Sequence, residues 1–191
     1  MIDTDARWGF SYSKGWIFGY KLHLISSTGS LIVPLAADFT TANVQDNQMY
    51  NPMISSPSPS SSSLFLETCY MIGDSGYDDH DLYDLSVAKG FQLVCPVQRY
   101  EHTGVSRLEL INFYESELGQ TIYSCRSKSI EPLIEHIKSV FRIDPLPVRG
   151  YQKAAAGIVL LSVLLYQILV YYNHKIRHSQ RPKEIKHMLC S

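Results

Sequence analysis

One carboxylate in this sequence stands where α/β proteins bind ligands. Asp74 follows the apolar run Cys69–Gly73 and precedes Ser75-Gly76-Tyr77, in which the glycine permits a sharp turn. Ligands of open α/β sheets bind at the carboxyl ends of parallel strands. We therefore predict that the Asp74 carboxylate faces a crevice. The simpler alternative is that this carboxylate only caps the turn that follows it.

A second group combines acidic and basic side chains on one predicted helix. Apolar residues recur at helical spacing from Ser129 to Phe141, which predicts a helix over that range. Glu131 and Lys138 are seven residues apart, which is about two helical turns, so they share one face with Glu135 between them. Such a face can form part of a site, or it can be an ordinary solvated surface.

The elements that must position these residues follow an α/β order. Two strand patterns flank a turn and predict a hairpin: Phe18–Ile25 and Leu31–Ala37. A strand, a helix and a strand then follow at the spacing of a right-handed parallel crossover: Cys69–Gly73, Asp78–Lys89 and Phe91–Val97. A hairpin combined with a crossover predicts an α/β fold. The aromatic and glycine-rich segment Trp8–Trp16 is predicted to be a loop or tight turn that leads into the first strand.

In order and spacing, these residues resemble the motifs of DDE-type transposases from bacterial and archaeal insertion sequences. The segment Asp74–Asp78 is similar to the motif around that family's second aspartate. The family's tyrosine–arginine–glutamate–lysine signature has four similar residues here: Tyr123, Arg126, Glu131 and Lys138. Four residues separate its arginine from its glutamate, where three is commoner. The resemblance covers nearly the whole chain, from Asp3 to about Asn173. Further matches are Asp5-Ala6-x-x-Gly9, Gly19-Tyr20-Lys21-Leu22-His23 and Ala42-Asn43-Val44-x-Asp46.

The resemblance implies a ribonuclease H-like fold, in which helices flank a mixed sheet, and a role in DNA transposition. Members of the family cut and rejoin DNA phosphodiesters with two divalent metal ions, Mg²⁺ or Mn²⁺. By resemblance, Asp74 and Glu131 are the catalytic and metal-binding residues, while Tyr123, Arg126 and Lys138 contact DNA. The implied partners are transposon ends and target DNA, with a homodimer as the assembly to consider. The implied location is the cytoplasm, in association with the nucleoid.

The family's first catalytic aspartate has no counterpart at the matching place. In the family it lies on a strand that precedes the Asp5-Ala6-x-x-Gly9 element, and this sequence begins at that element. Asp3 and Asp5 match the segment after the strand, and metal geometry tolerates little displacement. We therefore expect an N-terminally truncated catalytic domain with weak or absent cleavage. The alternative is a non-catalytic DNA-binding remnant.

Charge is distributed unevenly along the chain, whose net charge is −1 over 191 residues. Residues 1–100 carry 5 Lys/Arg against 10 Asp/Glu, whereas residues 101–191 carry 12 against 8. This asymmetry indicates contact with nucleic acid or membrane. The length suits about one domain, so we assign residues 1–173 to the partial catalytic domain, with a Ser/Pro-rich loop at 55–63. Residues 174–191 form a basic tail that could bind DNA phosphates.

An uncharged segment of nineteen residues runs from Ala154 to Tyr172. It is long enough to span a bilayer. Ser162, Gln167 and several tyrosines are more typical of a buried helix in a soluble core. We predict a core helix and do not expect a membrane among the partners; a membrane anchor is the less favoured alternative.

Overall fold

The computed structural model describes residues 2–11, 15–55, 68–100 and 104–176. Except for Ser55, the predicted Ser/Pro-rich loop lies outside the described residues, and so does the basic tail beyond Ile176. The chain divides into two compact units. We call residues 1–45 with 129–191 the antiparallel unit, and residues 46–128 the crossover unit.

The antiparallel unit contains a three-stranded sheet in the order β1-β2-β3. Its strands are β1 (Arg7–Ser11), β2 (Gly15–Ser26) and β3 (Pro34–Thr41), and neighbours pair antiparallel. The β2–β3 hairpin confirms the sequence prediction. The last strand begins at Pro34 rather than Leu31, because proline is tolerated at the first residue of a strand, where no ladder donor is needed.

The segment Trp8–Trp16, predicted to be a loop or tight turn, contains most of strand β1 and the start of β2. Trp8 lies opposite Phe18 and Phe10 lies opposite Trp16 in the β1–β2 ladder. Cross-strand aromatic pairs stabilise an antiparallel ladder. The strand forms here although it contains Gly9. The aromatic and glycine-rich composition of the segment does not show the cross-strand pairing.

The core of the antiparallel unit is closed by one long helix, α5 (Tyr151–Lys175), which includes a π-helical turn over Ala155–Val159. Its buried side chains recur every three or four residues: Val159, Val163, Tyr166 and Val170. They pack with Phe39 of β3 and with Leu133 and Ile137. This face of α5 is the core packing that the sequence predicts.

The opposite side of α5 carries exposed apolar residues: Leu161, Leu164, Leu165, Ile168 and Tyr171. The helix is long and apolar enough to cross a membrane, and 41% of its most apolar stretch is buried inside the protein. The same length and composition occur in core helices of soluble proteins, so they do not by themselves indicate a membrane anchor.

The crossover unit is the predicted strand, helix and strand. Strands β4 (Tyr70–Ile72) and β5 (Gln92–Val94) pair in parallel. Between them, α2 (His80–Ala88) begins after Asp79, whose side chain accepts a hydrogen bond from the Asp81 N–H. Gly90 follows the helix with φ of 89°, a conformation that favours glycine at a helix end. Two further helices of this unit are α1 (Tyr50–Ser55) and α3 (Val105–Glu115).

Helix α4 (Glu117–Phe141) carries all four residues of the tyrosine–arginine–glutamate–lysine pattern. The sequence predicted its start at Ser129, but Ser116 is extended and the helix begins directly after it. The boundary between the compact units falls inside α4, between Lys128 and Ser129. Residues 117–128 are therefore described with the crossover unit, and residues 129–141 with the antiparallel unit.

The described strands form two sheets, one antiparallel with three strands and one parallel with two. The ribonuclease H-like mixed sheet that the resemblance implies stays a prediction. The α/β class and the C-terminal apolar helix are confirmed by these elements. Short strands such as β4 and β5 give little indication in sequence of which sheet they join, because a three-residue run satisfies either pairing.

Candidate functional site

Asp74 lies at the carboxyl end of β4, two residues after the last strand residue, Ile72. It is extended and precedes a 3₁₀ turn over Ser75–Tyr77. One carboxylate oxygen, Oδ1, accepts a hydrogen bond from the Gly76 N–H at 2.9 Å. The side chain is 48% exposed. Asp74 therefore caps the turn, as the simpler alternative held, and still presents its carboxylate to solvent.

Arg126 lies beside Asp74 within the crossover unit. The second carboxylate oxygen of Asp74, Oδ2, is 3.8 Å from a terminal nitrogen of the Arg126 guanidinium. The two groups form an ion pair, and their separation is longer than that of a direct hydrogen bond. The Arg126 side chain is partly exposed, so a ligand from solvent can reach both charges.

Two tyrosines of the crossover unit lie close to this ion pair. The Tyr77 ring packs edge-on against Tyr50, with ring centroids 5.8 Å apart. Burial raises the pKa of Tyr77, and the carboxylates of Asp46 and Asp74 act in the same direction. Its phenol therefore stays neutral at physiological pH. The preceding Gly73 is required for this packing, because a Cβ there would lie 2.9 Å from the Tyr77 ring.

Tyr123 is the second of these tyrosines. Its ring packs edge-on against Tyr114 with centroids 5.3 Å apart. Burial raises the pKa of Tyr123, while the positive charge of Arg126 opposes that rise. Tyr123 is thus a neutral, half-buried phenol one turn before Arg126 on α4. Its spacing with Arg126, which the sequence motif specifies, places both residues on neighbouring turns of the helix.

Asp78, the last residue of the Asp74–Asp78 motif, is a structural residue that sequence reasoning did not single out. Its side chain is only 3% exposed and pairs with Arg107 at 2.5 Å. It also accepts hydrogen bonds from the Gln98 N–H at 2.8 Å and from the Tyr83 hydroxyl at 3.1 Å. These partners are distant in sequence, and no local pattern reports them. Asp78 anchors α3 and the segment after β5.

Glu131 and Lys138 lie on the half of α4 that belongs to the antiparallel unit. Leu133 and Ile137 are buried on the core side of this half, and Glu131 and Glu135 are exposed, as the helical spacing predicts. Lys138 Nζ lies 3.2 Å from Asp144 Oδ2 and 3.4 Å from Glu135 Oε1. Lys138 is therefore paired with two carboxylates within its own unit.

Asp3 and Asp5 hold the start of α5. Asp3 Oδ2 accepts a hydrogen bond from the Gly150 N–H at 2.9 Å, and Asp5 Oδ2 accepts one from the Tyr151 N–H at 2.9 Å. Carboxylates satisfy the unpaired donors of a helix N-terminus and complement its dipole. The Gly150 hydrogen bond is the main cause that lowers the pKa of Asp3. These two residues have a structural use within the antiparallel unit.

Side chains that could bind a metal ion are scattered in the part of the chain that the structure describes. None of the described histidine, cysteine, aspartate and glutamate side chains form a group of three or more that could hold a metal ion. Asp74 and Glu131 belong to different compact units. Carboxylate oxygens are suitable ligands for Mg²⁺, but one carboxylate alone binds it weakly.

The fold and these residues define an α/β protein with an acid–base pair at the carboxyl end of a parallel strand. A family model described as the transposase DDE domain matches residues 2–168. Because this match covers most of the chain, the protein belongs to the transposase DDE domain family. Searches of the curated proteins and of the solved structures gave no match.

Proposed function

We propose that this chain is the DNA-acting catalytic domain of an insertion-sequence transposase, that it works in DNA transposition, and that its own strand cleavage is weak or absent. Under this proposal, residues 1–173 form a ribonuclease H-like domain and residues 174–191 a basic tail. The observation that carries the proposal is the pair of Asp74 and Arg126 at the end of β4, 3.8 Å apart and open to solvent. Family membership supplies the DNA substrate.

The chemistry of the pair supports contact with a DNA phosphate. A guanidinium binds phosphate oxygens through paired N–H groups, and its charge does not depend on pH in the physiological range. The 3.8 Å gap between Asp74 and Arg126 leaves the guanidinium oriented by the carboxylate without a direct hydrogen bond. Tyr123 is a neutral phenol near Arg126, and its hydroxyl can donate a hydrogen bond to an oxygen of the DNA phosphate.

Glu131 is the second proposed acidic residue, and Lys138 the second proposed phosphate contact. Lys138 already lies between Asp144 and Glu135, so a phosphate would have to compete with two carboxylates for its ammonium. We accordingly assign Lys138 a smaller share of DNA affinity than Arg126.

The metal that the family implies is Mg²⁺ or Mn²⁺, and Asp74 and Glu131 are its proposed ligands here. The described residues do not assemble three ligands, so they fit an incomplete site, and we derive no step of the reaction through a metal. This is the physical basis for proposing weak or absent cleavage. Transposon ends and target DNA are the proposed partners, and the proposed location is the cytoplasm, near the nucleoid.

Strand cleavage separates an active domain from an inactive one. The full chain is incubated with Mg²⁺ or Mn²⁺ and labelled duplexes taken from either side of its own reading frame. We expect little or no nicking, and any residual nicking should disappear in both Asp74→Ala and Glu131→Ala. Efficient nicking that both variants retain would contradict the assigned roles.

Phosphate contact is tested separately by the salt dependence of DNA binding without metal. Arg126→Ala should weaken binding to all duplexes and reduce the slope of log K against log salt by about 1. The matched control is Arg99→Ala, which removes an exposed arginine of the same unit that pairs with Glu115. A flat salt response in the parent chain would refute the DNA-binding proposal, and equal effects of the two variants would refute the role assigned to Arg126.

The non-catalytic DNA-binding remnant is the second candidate, and the incomplete metal site favours it. It predicts the same salt dependence with no nicking at any metal concentration. Residual nicking that is lost in Asp74→Ala and Glu131→Ala would favour the catalytic domain, whereas salt-dependent binding with no nicking would favour the remnant.

A further inference from the structure

The β1–β2 hairpin presents four aromatic rings on one face. Trp8 and Phe18 are cross-strand partners with ring centroids 5.3 Å apart, and Phe10 and Trp16 are partners at 5.5 Å. Residues two apart along a strand point to the same side, so the two pairs lie next to each other. The result is a short aromatic ladder, which we call the hairpin aromatic face.

This face is open to solvent. Trp8, Phe10, Trp16 and Phe18 are 60%, 56%, 70% and 40% exposed. The other side of the hairpin is closed by backbone, because a Cβ at Gly9 would lie 2.0 Å from the carbonyl oxygen of Ala42. At about 200 Å² per aromatic residue, the four residues expose roughly 450 Å². Apolar patches of that size on single chains are often functional.

The hairpin segment itself carries only basic charges, which suits an anionic ligand. From Ala6 to Ala37 the sequence contains Arg7, Lys14 and Lys21 and no aspartate or glutamate. Residues 1–100 as a whole hold twice as many acidic as basic residues, so this segment differs in charge from the rest of that half of the sequence. Exposed rings together with cations are typical of surfaces that bind single-stranded nucleic acid, since rings stack on bases and cations neutralise phosphates.

We propose that the hairpin aromatic face binds unpaired bases of single-stranded DNA by stacking. The two ring pairs are separated by about 6.6 Å along the strands. This separation is roughly twice the ~3.4 Å rise per base of one stacked DNA strand. A single strand stretched to about twice that rise can therefore place one base on each ring pair. The inference rests on the proposed function for its substrate, but its site is separate from Asp74 and Arg126, and its contacts are with bases rather than phosphates.

The chain itself supplies the reporter. Trp8 and Trp16 are its two tryptophans, so tryptophan fluorescence comes from this hairpin. The full chain, in chelator, is titrated with an oligothymidine of about 12 nucleotides, within the ~4–16 nucleotides that single-strand sites cover. The comparison strands are an abasic oligonucleotide of equal length and charge, and a blunt duplex. We expect fluorescence quenching and tighter binding with oligothymidine than with the abasic strand.

Substitutions then assign the effect to the rings. Trp16→Ala should weaken oligothymidine binding by about 5- to 150-fold, the range for removing one base–aromatic stack. Trp16→Phe keeps a ring and should retain most of the affinity, which also controls for folding. Tyr171→Ala removes a comparably exposed aromatic ring from α5 and should leave binding unchanged.

Several outcomes would overturn the proposal. Equal affinity for oligothymidine and the abasic strand would show that charge alone binds the strand. Self-association that Trp16→Ala abolishes, with oligothymidine binding intact, would assign the face to a second copy of the chain. If the duplex still binds in either case, the proposed function stands and only this inference fails. Loss of binding to all three DNAs in the parent chain would sink both.

Discussion

Removing one partner of the buried ion pair of Asp78 and Arg107 is expected to destabilise the crossover unit strongly. Their side chains are 3% and 12% exposed, and Asp78 also satisfies the Gln98 N–H and the Tyr83 hydroxyl. Asp78→Ala leaves a nearly buried guanidinium and two polar donors without their acceptor. Breaking one side of a buried pair costs about 3–5 kcal/mol. For a chain of this length, that corresponds to a lowering of Tm by roughly 6–20 °C.

The assay is urea unfolding followed by circular dichroism, with thermal unfolding as a second measurement. Arg99 and Glu115 provide the matched control, because they form an ion pair at 2.6 Å in the same unit, with side chains 65% and 51% exposed. Exposed pairs contribute about 0–1 kcal/mol, so Glu115→Ala should be nearly neutral. If Asp78→Ala lowers the free energy of unfolding no more than Glu115→Ala does, burial does not increase the cost of breaking the ion pair, which contradicts the prediction. An Asp78→Ala, Arg107→Ala double variant should recover part of the loss, since the unpaired charge is then gone.

Two further predictions concern the antiparallel unit. The pKa of Asp3 is lowered below the ordinary 3.8, chiefly by the Gly150 N–H, so as pH falls the unfolded chain takes up the proton first and stability is lost through the lowered pKa. Urea midpoints measured from pH 6 down to pH 3 should therefore fall less steeply in Asp3→Asn than in the parent chain, and an identical pH profile would count against the Gly150 contact. Gly9→Ala should destabilise by about 1–3 kcal/mol, because its Cβ would lie 2.0 Å from the Ala42 carbonyl oxygen. Gly157→Ala is the control, since nothing lies within 4 Å of its added Cβ; equal effects on Tm would contradict the close approach of the two strands.

Local patterns in the sequence were sufficient to predict several of the helices and strands. Alternating side chains predicted the β2–β3 hairpin, and the strand, helix and strand spacing predicted the β4-α2-β5 crossover with its Gly90 terminus. The same linear order of motifs was enough to recognise the transposase DDE domain family. Such features depend on residues that are neighbours in the chain, so their periodicity reports them directly.

Tertiary structure decided which distant side chains meet. Asp74 pairs with Arg126, Asp78 with Arg107, and Asp3 with the start of α5 at Gly150. Sequence patterns show which face of an element is buried, but they carry no information about the partner across a gap of many residues. The aromatic face of the β1–β2 hairpin is of this kind, because its ring pairs exist only through the register of two strands that glycine-rich sequence had concealed. Strand register, rather than composition, turned that segment from a predicted loop or tight turn into an exposed surface.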